Sequence, residues 1–315
     1  MWNLPKRFIA RQSAAEPFDC PWLIRGDAVI RLVAFDLDGT ILNHNNTPSD
    51  ASMAAICDLL DRGVAVASMS GRNFERNQIP FVSNPSVADA LYAGCYNGAM
   101  VFAPKINGTR QLMHEQRLPD DIFSSLIQYA DDRLMNFVYC RCDMNSEGPC
   151  EVYITDRMTK MSREVATMTN MVYEVDADLA QRIRTKELAS PPKIMLLPEP
   201  GHADETVDEL KNIFGDQIYM AWAVAGRIEI MHPDVNKGAA LTAIANHIGG
   251  SLDEVMAVGD GNNDLPMLRA AGTGVLMHNA DAATHRAVAG ENILQTDHIE
   301  NDGFAKAVRR YVLDR

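Results

Sequence analysis

Nowhere in the 315-residue chain do apolar residues run on for the roughly 18 positions that a helical membrane span needs. A helical integral membrane protein is therefore excluded. Cysteine is sparse: Cys20, Cys57, Cys95, Cys140, Cys142 and Cys150 contain no C-x-x-C pair, which argues against a disulfide framework. The triplet between 140 and 150 has no His or Cys partner at ligand spacing, so reduced structural thiols in a cytoplasmic protein are expected. Positive charge is also short, with 29 Lys and Arg against 42 Asp and Glu and a net charge of −13. Such a surface repels nucleic-acid backbones and anionic lipid, and neither is an expected partner. A phosphate can still bind where a metal ion or a local lysine reverses the field.

Nucleotide-binding loops are missing as well. No G-x-x-x-x-G-K-[ST] run occurs, and Gly272-x-Gly274 lacks the third glycine of a dinucleotide site. The eight histidines, His232 and His278 among them, stand without ligand spacing and read as surface or packed side chains. What remains is ordinary globular composition, 47% hydrophobic and 23% charged, in a length that suggests two domains. Met1–Ala15 carries Lys6, Arg7 and Arg11 with no acid. That faintly resembles a transit peptide, but residues 1–29 read more simply as an N-terminal arm.

From Ile30 the pattern becomes regular. Ile30–Phe35 is a short apolar run of the kind buried in a parallel sheet. Met53, Ile56 and Leu60 follow at helical spacing, Gly63 stops them, and Val64–Met69 is a second apolar run. Strand, helix, strand at this spacing predicts a right-handed parallel crossover. The same texture returns late in the chain. A helix through Leu241, Ile244 and Ile248 precedes strand Val255–Val258, helix Asp264–Ala271 and strand Gly274–Met277. Asn301-Asp302 is expected to cap a last helix. Between them, Phe137–Arg141, Glu151–Ile154, Lys193–Leu197 and Ile218–Val224 read as strands, the last turning at Ala225-Gly226 into Arg227–Met231. Hairpins do not belong in a parallel sheet. The expected fold class is therefore α/β, a Rossmann-like parallel-sheet core (30–97 and 232–315) with an inserted α+β domain (98–231). The methionines between 158 and 171 are expected to fill core.

Four features fall at the carboxyl ends of these strands or at helix starts, where open α/β sheets bind ligands. Asp36-Leu37-Asp38-Gly39-Thr40 places two carboxylates two residues apart, which on an extended chain face one side and call for a cation. A solvated acidic turn fits that pattern equally. Ser70-Gly71-Arg72 offers a hydroxyl and backbone N–H groups to a phosphate oxygen. Lys237 stands at a helix start, where the dipole disfavours a cation unless an anion lies near. Gly259-Asp260-Gly261-Asn262-Asn263-Asp264 closes another strand with two more acids.

Taken together and in this order, these residues resemble the four motifs of the haloacid dehalogenase-like hydrolases: Asp36-x-Asp38, Ser70, Lys237 and Asp260-x-x-Asn263-Asp264. The insertion between the second and third motifs, Asn97-Gly98-Ala99 and Asp302-Gly303-Phe304-Ala305 are similar to the Cof-type subclass, with Ser70 where many members carry Thr. The resemblance implies a phosphatase in which Asp36 attacks phosphorus and Asp38 acts as acid and then base. It implies Mg²⁺ held by Asp36, the backbone carbonyl of Asp38 and Asp260, with Asp264 nearby. Ser70, Gly71, Asn263 and Lys237 would bind the phosphoryl oxygens, and the inserted domain would be a cap. Residues 98–231 hold 14 basic and 21 acidic side chains, which favours a small phosphorylated metabolite, a sugar phosphate or phosphorylated vitamin, over a polyanion. A phosphomutase and a non-catalytic phosphate-binding regulator are the alternatives on the same fold.

Overall fold

The computed structural model describes residues 24–25, 28–145, 148–222 and 226–314. The basic stretch Met1–Ala15, Cys20 and the turn residue Ala225 lie outside them. The chain divides into two compact units, one ending at His114 and resuming at Asn236, the other Glu115–Val235. Strands of the first unit are β1 (Ile24–Arg25), β2 (Ala28–Val29), β3 (Leu32–Phe35), β4 (Ala65–Met69), β5 (Tyr92–Cys95), β6 (Met100–Phe102) and β7 (Leu112–Glu115). The second unit holds β8 (Asn136–Asn145), β9 (Gly148–Thr155), β10 (Tyr173–Val175), β11 (Lys193–Leu197), β12 (Tyr219–Trp222) and β13 (Ile228–Met231). The first unit then resumes with β14 (Val255–Gly259), β15 (Thr273–Leu276) and β16 (Leu294–Gln295).

β1 and β2 form a small antiparallel ribbon. The main sheet runs β16-β15-β14-β3-β4-β5-β6-β7 and is parallel from β16 to β5. Its central strand explains the unbroken apolar run at the start of the chain. Val33 and Phe35 enter one core with Ile56, Leu59 and Phe304, while Leu32 and Ala34 enter the opposite core with Leu241, Ile244 and Leu268. Both faces of β3 are covered, so neither side of the strand tolerates a polar residue. The covering helix Asp50–Asp61 starts where Ser49 Oγ accepts from the Ser52 N–H at 3.1 Å, and Ala55, Ile56 and Leu59 supply its buried face. The helix Lys237–His247, on the other side, starts where Asn236 Oδ1 accepts from the Ala239 N–H at 2.8 Å.

One expectation needs correction. The second unit begins at Glu115 rather than at 98, because β6 turns back antiparallel to β5 and β7 lies outside it in the main sheet. An antiparallel return after Gly98 carries the same sequence texture as the insert's own hairpins. Asp302 is the N-cap residue of the last helix, Gly303–Val308, as expected, but its side chain makes no capping hydrogen bond. Its backbone is left-handed (φ 56°) and its Oδ1 accepts from Ser49 Oγ at 2.7 Å, which ties the C-terminal segment to the first helix.

In the second unit the order is β10-β9-β8-β11-β13-β12, antiparallel except for the β9–β10 pair. Helices Asp120–Asp132, Leu179–Arg184 and Ala203–Phe214 bury Leu126, Ile183 and Leu210 against Phe137, Tyr139 and Ile194 on one face. On the other face, Met158, Met161 and Met171 pack beside Val138, Tyr153 and Met195, whereas Met168 is exposed. The described cysteines are free thiols, with Cys95, Cys140 and Cys142 buried.

Candidate active site

In register, Phe35 of β3 lies between Val258 of β14 and Ser68 of β4. Asp36, Asp260 and Ser70 therefore emerge at one edge of the parallel sheet, one or two residues beyond that row. The Asp36 N–H still donates to the Val258 carbonyl at 3.0 Å, so its backbone remains part of the sheet and its carboxylate is buried. After Asp36 the strand geometry ends. The Leu37 carbonyl accepts from the N–H groups of Thr40, Ile41 and Leu42 at 3.3, 3.1 and 2.9 Å, winding the chain into a turn. The Asp38 side chain, beyond the strand, is 61% exposed, and its charge still helps to raise the pKa of Asp260.

Asp36, Asp260 and Asp264 each place a carboxylate oxygen within 4.8 Å of the others. Asp264 is anchored from both sides. Its Oδ2 accepts from the N–H groups of Asp260 and Gly261 at 2.9 and 2.8 Å, and its Oδ1 accepts from Lys237 Nζ at 2.5 Å. Lys237 is fully buried and donates equally to Asp36 Oδ1 at 2.5 Å. This is the anion that its position at a helix start required. Burial opposes its charge, but the Asp264 and Asp36 carboxylates outweigh that and raise its pKa. Asp36 is driven well above the ordinary carboxylate range, by burial first and then by Asp264 and Asp260, with Lys237 opposing. Burial and then Asp264 push Asp260 up to about 6.

One ammonium among three carboxylates leaves a formal charge of −2, which a divalent cation would neutralise. The donor set also fits one: hard carboxylate oxygens without sulfur or imidazole suit Mg²⁺ or a similar ion. Asp260 is oriented for this task. Thr40 Oγ1 donates to Asp260 Oδ1 at 3.1 Å, and Asn279 Nδ2 approaches Oδ2 at 3.4 Å while donating to the Gly39 carbonyl at 2.7 Å. Gly39 (φ +79°) is left-handed, and a Cβ there would lie 2.1 Å from Asp260 Oδ2, so any side chain would strain the turn and displace that carboxylate.

At the end of β4, Ser70 is buried, and its Oγ accepts from the Arg72 N–H at 3.2 Å, which leaves its hydroxyl proton available. The Gly71 N–H has no partner among the described residues. Asn263 Nδ2 donates to Asn97 Oδ1 at 3.1 Å. Arg72 turns the other way, gripping Asp38 with Nε on Oδ2 at 2.8 Å and Nη2 on Oδ1 at 2.5 Å, and Nη2 also reaches Asn46 Oδ1.

All the residues singled out from the sequence lie at this sheet edge, but not in one contact set. Asp36, Asp260, Asp264 and Lys237 are joined directly, Ser70, Gly71 and Asn263 gather around Asn97, and Asp38 stands apart on Arg72. The family profile of the haloacid dehalogenase-like hydrolases matches residues 33–308. The chain belongs to that family. Among relatives of this hydrolase, the HMP-PP phosphatase of Cronobacter sakazakii is 28% identical over 252 residues, covering 79% of this chain and 85% of the relative. A crystal structure of TM0651 from Thermotoga maritima superposes with a TM-score of 0.74 at 23% identity, covering 89% of this chain and 97% of that one. The subclass IIB sugar phosphatase BT4131 superposes at 0.69 with 16% identity, covering 90% and 99%.

Thr40, Arg72 and Asn279 of this hydrolase were not legible as site residues. Thr40 and Arg72 close the motifs Asp36–Thr40 and Ser70–Arg72, which marked their place but not their role. Asn279 sits two residues beyond the end of Gly274–Met277, the same strand-end position that marked the others.

Proposed function

We propose that this hydrolase is a Mg²⁺-dependent phosphatase acting on a small phosphorylated metabolite through an aspartyl-phosphate on Asp36. The observation that carries the reading is the double grip of Lys237 on Asp36 and Asp264. It holds Asp36 Oδ1 still and leaves the second oxygen to attack. That oxygen forms a bond to phosphorus as the ester oxygen leaves, and Asp38 gives the leaving oxygen its proton. Asp38 then takes a proton from the water that attacks the phosphoryl-aspartate, releasing phosphate and restoring Asp36. Ser70 Oγ, the Gly71 N–H and Asn263 hold the phosphoryl oxygens throughout, since positioning and charge stabilisation dominate this chemistry.

The cation is assigned to Asp36 and Asp260, with the backbone carbonyl of Asp38, and supplies charge neutralisation when bound. Asp264 acts behind them, because both of its oxygens are already engaged. The net negative charge of residues 98–231 favours a small ester over a phosphorylated polymer, and relatives named for HMP-PP and for sugar phosphates support the same class. The test is phosphate release from a panel of sugar phosphates and phosphorylated vitamins, with and without Mg²⁺, for the wild type and Asp36→Asn. Release that needs Mg²⁺ and vanishes in the variant supports the reading. Release that survives in Asp36→Asn defeats the aspartyl-phosphate route, and silence across the panel defeats the phosphatase.

A further inference from the structure

We propose that Asn97 is a phosphoryl-binding residue whose amide nitrogen completes the donor set formed by Ser70, Gly71 and Asn263. The proposal rests on the phosphatase reading above and adds a ligand-contacting group to it. Asn97 follows β5, the strand paired to β4, and so reaches the same sheet edge as Ser70. Its N–H donates to the Ser70 carbonyl at 2.9 Å, and the preceding Tyr96 N–H donates to the Arg72 carbonyl at 2.9 Å. These two bonds clamp the residues of the Ser70–Arg72 loop from one side.

The backbone is held in an uncommon state to achieve this. Tyr96 and Asn97 are both left-handed, with φ of 53° and 57°. Strain of this kind persists only where surrounding structure enforces it, and it concentrates at functional sites. Gly98 supplies the enforcement: it packs so closely on the start of the Lys237–His247 helix that a Cβ would lie 2.7 Å from the Asn236 carbonyl oxygen. The turn is thereby locked to the segment that carries Lys237.

The side chain is buried, at 4% exposure. Its Oδ1 accepts from Asn263 Nδ2 and lies 3.1 Å from where a Cβ on Gly71 would stand. Its Nδ2 lies 3.5 Å from that same point and finds no protein partner among the described residues. With its acceptor engaged by Asn263 and no protein partner on its nitrogen, the amide keeps a donor open to a ligand acceptor. The neighbouring idle N–H of Gly71 points to the same ligand class, an anion with several oxygens. A dianionic phosphoryl group, as orthophosphate or a monoester, meets both.

The probe is orthophosphate, titrated calorimetrically at saturating Mg²⁺ into the wild type, Asn97→Gly and Asn97→Asp, with Mn²⁺ binding followed separately by electron paramagnetic resonance. Glycine keeps the left-handed turn and deletes both the Nδ2 donor and the Oδ1 that accepts from Asn263, so orthophosphate affinity should fall at least about tenfold, as for losing a hydrogen bond to a charged group. Aspartate keeps the size and faces the anion with a carboxylate, so the fall should be larger. Mn²⁺ affinity should stay at the wild-type value in both. Wild-type orthophosphate affinity in either folded variant overturns the proposal, as does an equal loss of metal and phosphate binding, which would mark a structural role. In the unmutated protein, the Asn97 side-chain amide resonance must move when orthophosphate is added, and an unmoved signal overturns the proposal without any variant. A wild type that binds no orthophosphate and hydrolyses no ester defeats the phosphatase reading instead.

Discussion

Lys237 and Asp264 form an ion pair from which solvent is wholly excluded, Nζ to Oδ1 at 2.5 Å with neither side chain exposed. Taking two charges out of water is expensive, and the pair stands only because each partner has further bonds: Asp264 to two backbone N–H groups, Lys237 to Asp36. Removing Lys237 would leave Asp36, Asp260 and Asp264 facing one another. Lys237→Ala should therefore lose about 3–5 kcal/mol of stability in urea unfolding without metal. Added Mg²⁺ should recover part of it, and turnover should fall at least a hundredfold. A loss below about 1 kcal/mol would mean that the carboxylates do not depend on the lysine.

The acidic cluster also makes metal-free stability depend on pH, with a definite sign. Asp260 titrates near 6 in the folded protein, raised by burial and by Asp264, against a usual value of 3.8. Between those values the folded state holds a proton that the unfolded chain has released, so stability falls as pH rises through the window and stays lowered above it. Asp36 is shifted in the same direction. Asp260→Asn removes one contribution, so in chelator the variant should gain on the wild type between pH 4 and 7, by on the order of 2 kcal/mol. Unfolding midpoints at both pH values decide it, and a difference that shrinks toward pH 7 would contradict the placement of the charge.

Much of this arrangement is visible in the sequence, for one physical reason. In a parallel sheet covered on both faces, strands are short apolar runs, and whatever follows them abruptly as acid, serine or glycine stands at the ligand edge. Asp36, Ser70 and Asp260 are found that way, and Val255–Val258 and Lys193–Leu197 nearly match their observed strands. What sequence does not carry is how side chains divide the work. The sequence marks Lys237 for a phosphate, and nothing in it announces the grip of its ammonium on two carboxylates. The Asp38 side chain is exposed and gripped by Arg72, a pairing that no spacing in the sequence announces. Asn97 stands in the Asn97-Gly98-Ala99 run that is similar to the Cof-type subclass, but that likeness gives it no role, and no local pattern distinguishes the Asn279 amide from a turn residue.

The Arg72–Asp38 pair makes a prediction about leaving groups. A two-point grip fixes the plane of the Asp38 carboxylate as well as its place, and lysine cannot reproduce it. With Asp38 as the acid for the departing oxygen, loosening it should harm esters of poor leaving groups most. Arg72→Lys should cut turnover of an alkyl phosphate roughly tenfold to a hundredfold and that of an aryl phosphate with a good leaving group much less. Equal losses on both esters would show that Arg72 does something other than orient the acid.

Asn279 should tune metal affinity without touching the metal. Its amide joins three segments: Nδ2 donates to the Gly39 carbonyl and approaches Asp260 Oδ2, and Oδ1 accepts from the Ile299 N–H at 3.0 Å. Asp260 is thus held on one oxygen by Thr40 and steadied on the other by Asn279, which also keeps the Gly39 turn pressed against it. Groups of this kind, one bond behind a ligand, typically change metal affinity by about 10–100-fold when removed. Asn279→Ala should weaken Mn²⁺ binding by that factor in direct titration, with turnover restored at high Mg²⁺. Asn279→Asp should not act as a conservative replacement, since it exchanges a donor for a fourth carboxylate beside a cluster that already carries excess negative charge. Its metal-free form should be less stable at pH 7 than that of Asn279→Ala. If both variants bind Mn²⁺ as the wild type does, Asp260 is held in place by Thr40 and the backbone alone.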